Sequence, residues 1–250
     1  ELLNYRSNFE QLEAATVLKI VDAYKAIGNY KMVVYYLNLY SEKYLLDYSY
    51  YRDFILFETT KPDILLEQMN VYILLQQYQS ALNNFQIIYS IYDNSKASGP
   101  ALKLFNKYFD YFKAYLTEEQ LIKICAFKIK KGYYIDAQET LKEIFNKKVA
   151  NNDITNIDEV LYYLGLSLYR QRDSDKQRQA RQYFEIMSKY FDNSYFLAPA
   201  LYYRAIIAQR DNDLELESRL INEIIDKAGD NDYFVFLAYS EFFENANTNY

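Results

Sequence analysis

Residues 161–170, Leu-Tyr-Tyr-Leu-Gly-Leu-Ser-Leu-Tyr-Arg, and 180–184, Ala-Arg-Gln-Tyr-Phe, decide the reading of the fold. Leu161, Leu164, Gly165 and Leu168 share one face of a helix, and Ala180 and Phe184 lie one turn apart on the next. A helical pair of this kind cannot bury its apolar face alone, so neighbours must stack on both sides of it.

The composition agrees with an all-α chain. Of 250 residues 51% are apolar, enough for a continuous core, while five glycines and three prolines leave few helix breakers. With 28 basic and 34 acidic residues the net charge is -6, a field that repels phosphate backbones and argues against a nucleic-acid partner. There is no histidine and only one cysteine, Cys125, which removes the usual zinc sets, His-dependent acid–base schemes and any intrachain disulfide. No apolar run reaches the roughly 18 residues that a membrane-spanning helix needs. The sequence opens on Glu1 rather than Met, which leaves room for a signal peptide, a lipid anchor or a further domain upstream.

Along the chain, helical periodicity runs from Phe9 to Ile27 and ends at Gly28-Asn29, and a second helix beginning at Tyr30 carries Val33 and Leu37. Tyr44 to Phe57 reads as an extra helix, with Pro62 in the first turn of the one after it. Ile64 to Gln76 and Tyr78 to Ile91 form a hairpin packed through Leu65, Met69, Tyr72, Ala81 and Phe85. Asp93-Asn94-Ser95, three residues, then Gly99-Pro100-Ala101-Leu102 recurs as Asp192-Asn193-Ser194, three residues, then Ala198-Pro199-Ala200-Leu201, and is read as a connection between repeats. Ala101 to Tyr115 is a further helix, and Thr117 to Gln120 a capping box. Leu121, Ile124, Cys125, Gly132, Ala137, Leu141 and Ile144 trace a third hairpin, with Lys128 at an aromatic position. The polar stretch 150–155 reads as a joint between residues 1–149 and 156–250, followed by a second capping box at Asn156 and Glu159. A polar insert from Arg170 to Gln179 and a last hairpin with Leu201, Ala205, Ala208, Leu220 and Ile224 come next. Gly229 caps that hairpin, Tyr233 to Phe243 closes the array, and Asn245 to Tyr250 is a frayed tail.

Leu161, Leu164, Gly165 and Leu168 reproduce the spacing W-x2-L-G-x2-Y of a tetratricopeptide (TPR) first helix, and Ala180 and Phe184 the A-x3-F of its second. The chain therefore resembles the TPR superfamily. Its doubled connector is similar to those of the bacterial envelope subgroup, which includes outer-membrane assembly lipoproteins and cell-division coordinators. The resemblance implies a right-handed α-solenoid of degenerate TPR-like hairpins with extra helices. Gly165 would then sit where the two helices of a repeat approach closely. It further implies a non-catalytic protein-protein interaction scaffold or adaptor in the periplasm or cell envelope, with a cytoplasmic location as the alternative. A peptide-sensing regulatory domain of a transcription factor and a helical domain of a larger envelope enzyme remain as rivals.

In that family the inward residues of each first helix line a binding groove, which carries over to Tyr162, Leu166, Tyr169, Arg170, Tyr202, Ile206 and Gln209. For each of them packing and partner contact are both open. Arg170, Arg172, Lys176, Arg178 and Arg181 gather positive charge suited to an acidic partner or lipid headgroups, against the reading of a solvated loop. Asp173 with Asp175, and Asp211 with Asp213, read as solvated turns, since they lack the pattern of a calcium loop. The expectation is thus no catalytic residue, cofactor or metal, and a protein or peptide partner, with peripheral or lipid-anchored membrane attachment left open.

Overall fold

The computed structural model describes residues 13–45, 54–227, 233–238 and 240, and among them every regular element is helical. None of these helices is long and apolar enough to cross a membrane. The chain divides into two compact units, residues 1–116 and 117–250, so the division falls at Leu116/Thr117 and the 150–155 stretch lies inside the second unit.

In the first unit α1 (Ala14–Ala26) and α2 (Tyr30–Tyr40) close on Val17, Val21, Val33 and Leu37, and a π-helical turn, Ser41–Leu45, extends α2. The Tyr44 to Phe57 helix expected from sequence lies largely outside the described residues. From Phe54 the chain is already in α3 (Phe54–Leu74), so Pro62 is in the helix interior and not in its first turn. That position removes one intrahelical hydrogen bond, to the carbonyl four residues earlier. α3 pairs with α4 (Tyr78–Ile91) through Met69, Ala81 and Phe85, all fully buried.

The single helix expected from Ala101 to Tyr115 is three pieces: α5 (Ser98–Lys107), α6 (Phe109–Phe112) and a 3-10 turn, Lys113–Tyr115. Tyr108 leaves helical geometry at φ -112° and ψ 20°. Around this break Phe112 lies parallel to Phe105 at 5.4 Å, and Phe105 in turn stacks on Phe85 at 4.4 Å. Aromatic packing of this kind outweighs the one or two helical hydrogen bonds lost at the break.

The second unit runs α7 (Glu118–Lys130), α8 (Tyr134–Ala150), α9 (Ile157–Arg170), α10 (Ser174–Tyr190), α11 (Leu197–Arg210), α12 (Leu214–Lys227) and α13 (Tyr233–Ala238). From α7 to α13 each helix packs on the next, and α9 also meets α7 and α11. Gly165 is where α9 and α10 approach: a Cβ there would lie 2.5 Å from the Phe184 ring. α13 inserts Val235 and Ala238 into the core of α11 and α12. Gly229, most of the segment 239–243 and the tail 245–250 lie outside the described residues.

The Thr117 capping box is present, with the Gln120 N–H donating to Thr117 Oγ1 at 3.2 Å and the Thr117 N–H to Gln120 Oε1 at 2.9 Å. The one expected at Asn156 and Glu159 is not formed. Asn156 sits at φ 52° with no side-chain cap, and the chain is held instead by Asp153, whose Oδ1 accepts the Thr155 N–H at 2.9 Å. Lys148, 2% exposed, reaches Asp153 at 2.9 Å and Glu118 at 2.6 Å, tying the expected joint to the start of α7. The polar insert is also corrected. Asp173 caps α10 by accepting the Lys176 N–H at 2.9 Å, so Lys176, Arg178 and Arg181 lie on α10 and Arg170 at the end of α9, with only Arg172 of the basic run in the turn.

The doubled connector folds the same way twice. Ser95 N–H donates to the Tyr92 carbonyl at 2.9 Å and Ser98 N–H to the Ser95 carbonyl at 3.2 Å; Ser194 to Phe191 (3.1 Å) and Leu197 to Ser194 (3.1 Å) repeat the pattern. The five described hairpin turns are equally uniform. Each places one residue at positive φ: Gly28 (71°), Gln76 (58°), Gly132 (87°), Arg172 (58°) and Asn212 (57°). In four of them the next N–H reaches back five residues along the chain, as Tyr133 does to the Lys128 carbonyl at 2.9 Å. A side chain at such φ costs about 1 kcal/mol. Gly132→Ala, which adds its methyl to open space, should therefore lower stability by about 1 kcal/mol through the backbone alone. Gln76→Gly should raise it by about 0.5 kcal/mol, the relief being partly offset by a freer unfolded chain. Thermal melts of the two variants should move in opposite directions.

Candidate functional site

α9 and α11 repeat one pattern forty residues apart, with Leu161-Tyr162-Tyr163 matched by Leu201-Tyr202-Tyr203 and Arg170 by Arg210. Of the groove residues expected from sequence, Tyr162, Tyr169 and Tyr202 are buried, Leu166, Ile206 and Gln209 are half-buried, and Arg170 is exposed. Tyr162 stacks on Phe196 at 5.1 Å, and Tyr202 packs on Phe234 at 5.5 Å. Leu166 and Ile206 pack against the core shared by α9, α10 and α11. Gln209 Nε2 donates to Glu217 Oε1 at 3.3 Å. Most of the predicted aromatic surface is therefore used in holding helices together.

The C-terminal ends of the two helices are joined by a reciprocal exchange. Arg170 Nη2 on α9 donates to Tyr203 Oη on α11 at 3.3 Å, and Arg210 Nη2 on α11 donates to Tyr169 Oη on α9 at 3.0 Å. The guanidinium carbons lie 6.0 Å and 5.2 Å from the centres of the same two rings, within cation–π range, and the rings are 4.9 Å apart. Burial pushes the Tyr203 phenol up against the opposing pull of Arg170, and pushes Tyr162 up far more. Both phenols stay neutral at physiological pH, serving as hydrogen-bonding groups and not as acids or bases. Beside Arg170 opens a cavity of about 440 Å³ lined by Gly132 and Tyr133 of the α7–α8 turn, by Tyr134, Ile135 and Asp136 at the start of α8, and by Arg170 and Gln171. Sequence reasoning missed Tyr203 and Arg210, although the forty-residue echo was the signal that pointed to them.

The other charged groups singled out have structural uses. Asp173 caps α10, Asp213 caps α12 through the Leu216 N–H at 3.1 Å, Asp211 pairs with Arg181 at 3.6 Å and Asp175 with Arg178 at 3.5 Å. Among the described residues no three His, Cys, Asp or Glu side chains converge as a metal site. Cys125 is buried, and burial pushes its thiol up to about 12. Lys128 is buried beside it, and burial lowers its ammonium against the opposing influence of Cys125, Asp136 and Glu139.

Among the described residues these features define the class: packed helical hairpins in which Asp173, Asp213, Lys148 and Arg181 cap helices or brace one segment on another. No family model matches the chain, and no curated protein matches it either.

Proposed function

We propose that the chain is a non-catalytic scaffold or adaptor that holds a protein or peptide partner, its hairpins continuing as a right-handed TPR-type α-solenoid, in a bacterial cell-envelope assembly. The observation that carries this reading is the braced edge of α9 and α11, where Tyr169, Arg170, Tyr203 and Arg210 fix two exposed guanidinium groups on aromatic supports. Rigid aromatic and arginine groups of this kind dominate binding energy at protein interfaces. The uniform hairpin turns and the close approach at Gly165 support the repeat architecture. Affinity purification of the full chain from its native cell, followed by mass spectrometry, tests the reading. A reproducible stoichiometric partner is the expected result. Recovery of the chain alone under cross-linking would overturn it.

A further inference from the structure

We propose that the edge formed by the C-terminal ends of α9 and α11 and the turn between α7 and α8 docks an acidic segment of a partner protein. A carboxylate side chain meets Arg170 and Arg210, and a neighbouring apolar side chain enters the cavity beside Arg170. The proposal rests on the scaffold reading and names the chemistry of the partner.

Charge complementarity carries it. Arg170 and Arg210 are exposed, and neither has a carboxylate partner among the described residues, in a chain whose net charge is -6. The nearby Arg181 and Arg178, in contrast, are paired with Asp211 and Asp175. Each guanidinium spends one N–H on a tyrosine hydroxyl and one face on a ring, out of five N–H donors. An arginine held in this way has already lost its rotamer freedom, so it binds an anion without that ordering cost.

The cavity supplies the second half. Tyr133, Tyr134 and Ile135 bring apolar surface to its lining, with Ile135 61% exposed, and Arg170 and Gln171 line it from the end of α9. Asp136 also lines it, and its charge disfavours a second carboxylate inside. The segment that fits therefore carries its acidic group on the Arg170 and Arg210 side and an apolar residue next to it.

The competing explanation is that the two arginines only complement the C-terminal ends of α9 and α11. A randomised nine-residue peptide library, selected on the immobilised full chain, separates the two. The expected result is enrichment of peptides with Asp or Glu adjacent to an apolar residue, with affinity falling as salt rises. Arg170→Gln together with Arg210→Gln should weaken the selected peptides tenfold or more, and Ile135→Ser severalfold, with unchanged helical circular dichroism. Enrichment of neutral or basic peptides, full affinity in the double variant, no enrichment at all, or binding only to phosphatidylglycerol vesicles would each overturn the proposal. A partner captured equally by wild type and double variant would remove this docking mode and leave the scaffold reading standing.

Discussion

Replacing Gly165 with leucine is expected to destabilise the second unit by roughly 3 kcal/mol, at the upper end of the cost of overpacking a core. A Cβ at this position would lie 2.5, 2.8 and 2.8 Å from three carbons of the Phe184 ring. That ring is fully buried and has Tyr162 at 6.2 Å and Tyr203 at 5.8 Å, so it has little space to move aside. Leucine gains about 0.8 kcal/mol over glycine in helix propensity, too little to compensate. Gly165→Ala should cost less, and combining it with Phe184→Leu should recover part of the loss, because the two changes share one contact. Denaturant midpoints measure this directly, and an unchanged midpoint for Gly165→Leu would contradict the packing of α9 on α10.

Lys148→Ala should produce the second large effect, a loss of about 2 to 3 kcal/mol. Its ammonium makes two charge-assisted hydrogen bonds, each worth about 1.5 to 3 kcal/mol when fully buried. Glu118 and Asp153 stay partly solvated, which keeps the total near the value of one such bond. The pH dependence follows from the same geometry. Lys148 and the Thr155 N–H hold the Asp153 carboxyl at about 2, so its contribution is complete above the unfolded value near ~4 and disappears as pH falls through about 2. Burial pushes the Lys148 ammonium down, but its hydrogen bonds to Glu118 and Asp153 outweigh that and raise it. Its contribution is complete below the unfolded value near ~10.4 and is lost as pH rises through the higher folded one. Urea titrations should show a constant gap between wild type and variant from about pH 5 to 9 and a narrower one near pH 2. A gap that persists unchanged at pH 2 would remove Asp153 from the account.

Helix content and most pairings were legible because apolar residues at helical spacing leave one face to bury, as at Leu161, Leu164 and Leu168. Turns were legible where glycine marks positive φ, at Gly28 and Gly132, and silent where Gln76, Arg172 and Asn212 adopt the same conformation. Pro62 misled because a proline is tolerated inside a helix when tertiary packing offsets the lost bond, and Pro62 itself is buried. The tyrosines of the candidate groove were correctly placed on α9 and α11, but spacing alone does not tell which side of a helix meets solvent when both sides are aromatic. Tyr163 and Tyr203, next to the expected Tyr162 and Tyr202, are the more exposed of each pair.

The seclusion of Cys125 has a practical consequence for anyone who wishes to watch this protein at work. A thiol held up to about 12 and shut inside the helical core presents almost no thiolate to a maleimide at neutral pH. The chain thus behaves toward such reagents as if it had no sulfhydryl, and a cysteine introduced at Tyr195, which is 89% exposed, would take up a fluorophore by itself without removal of the native residue.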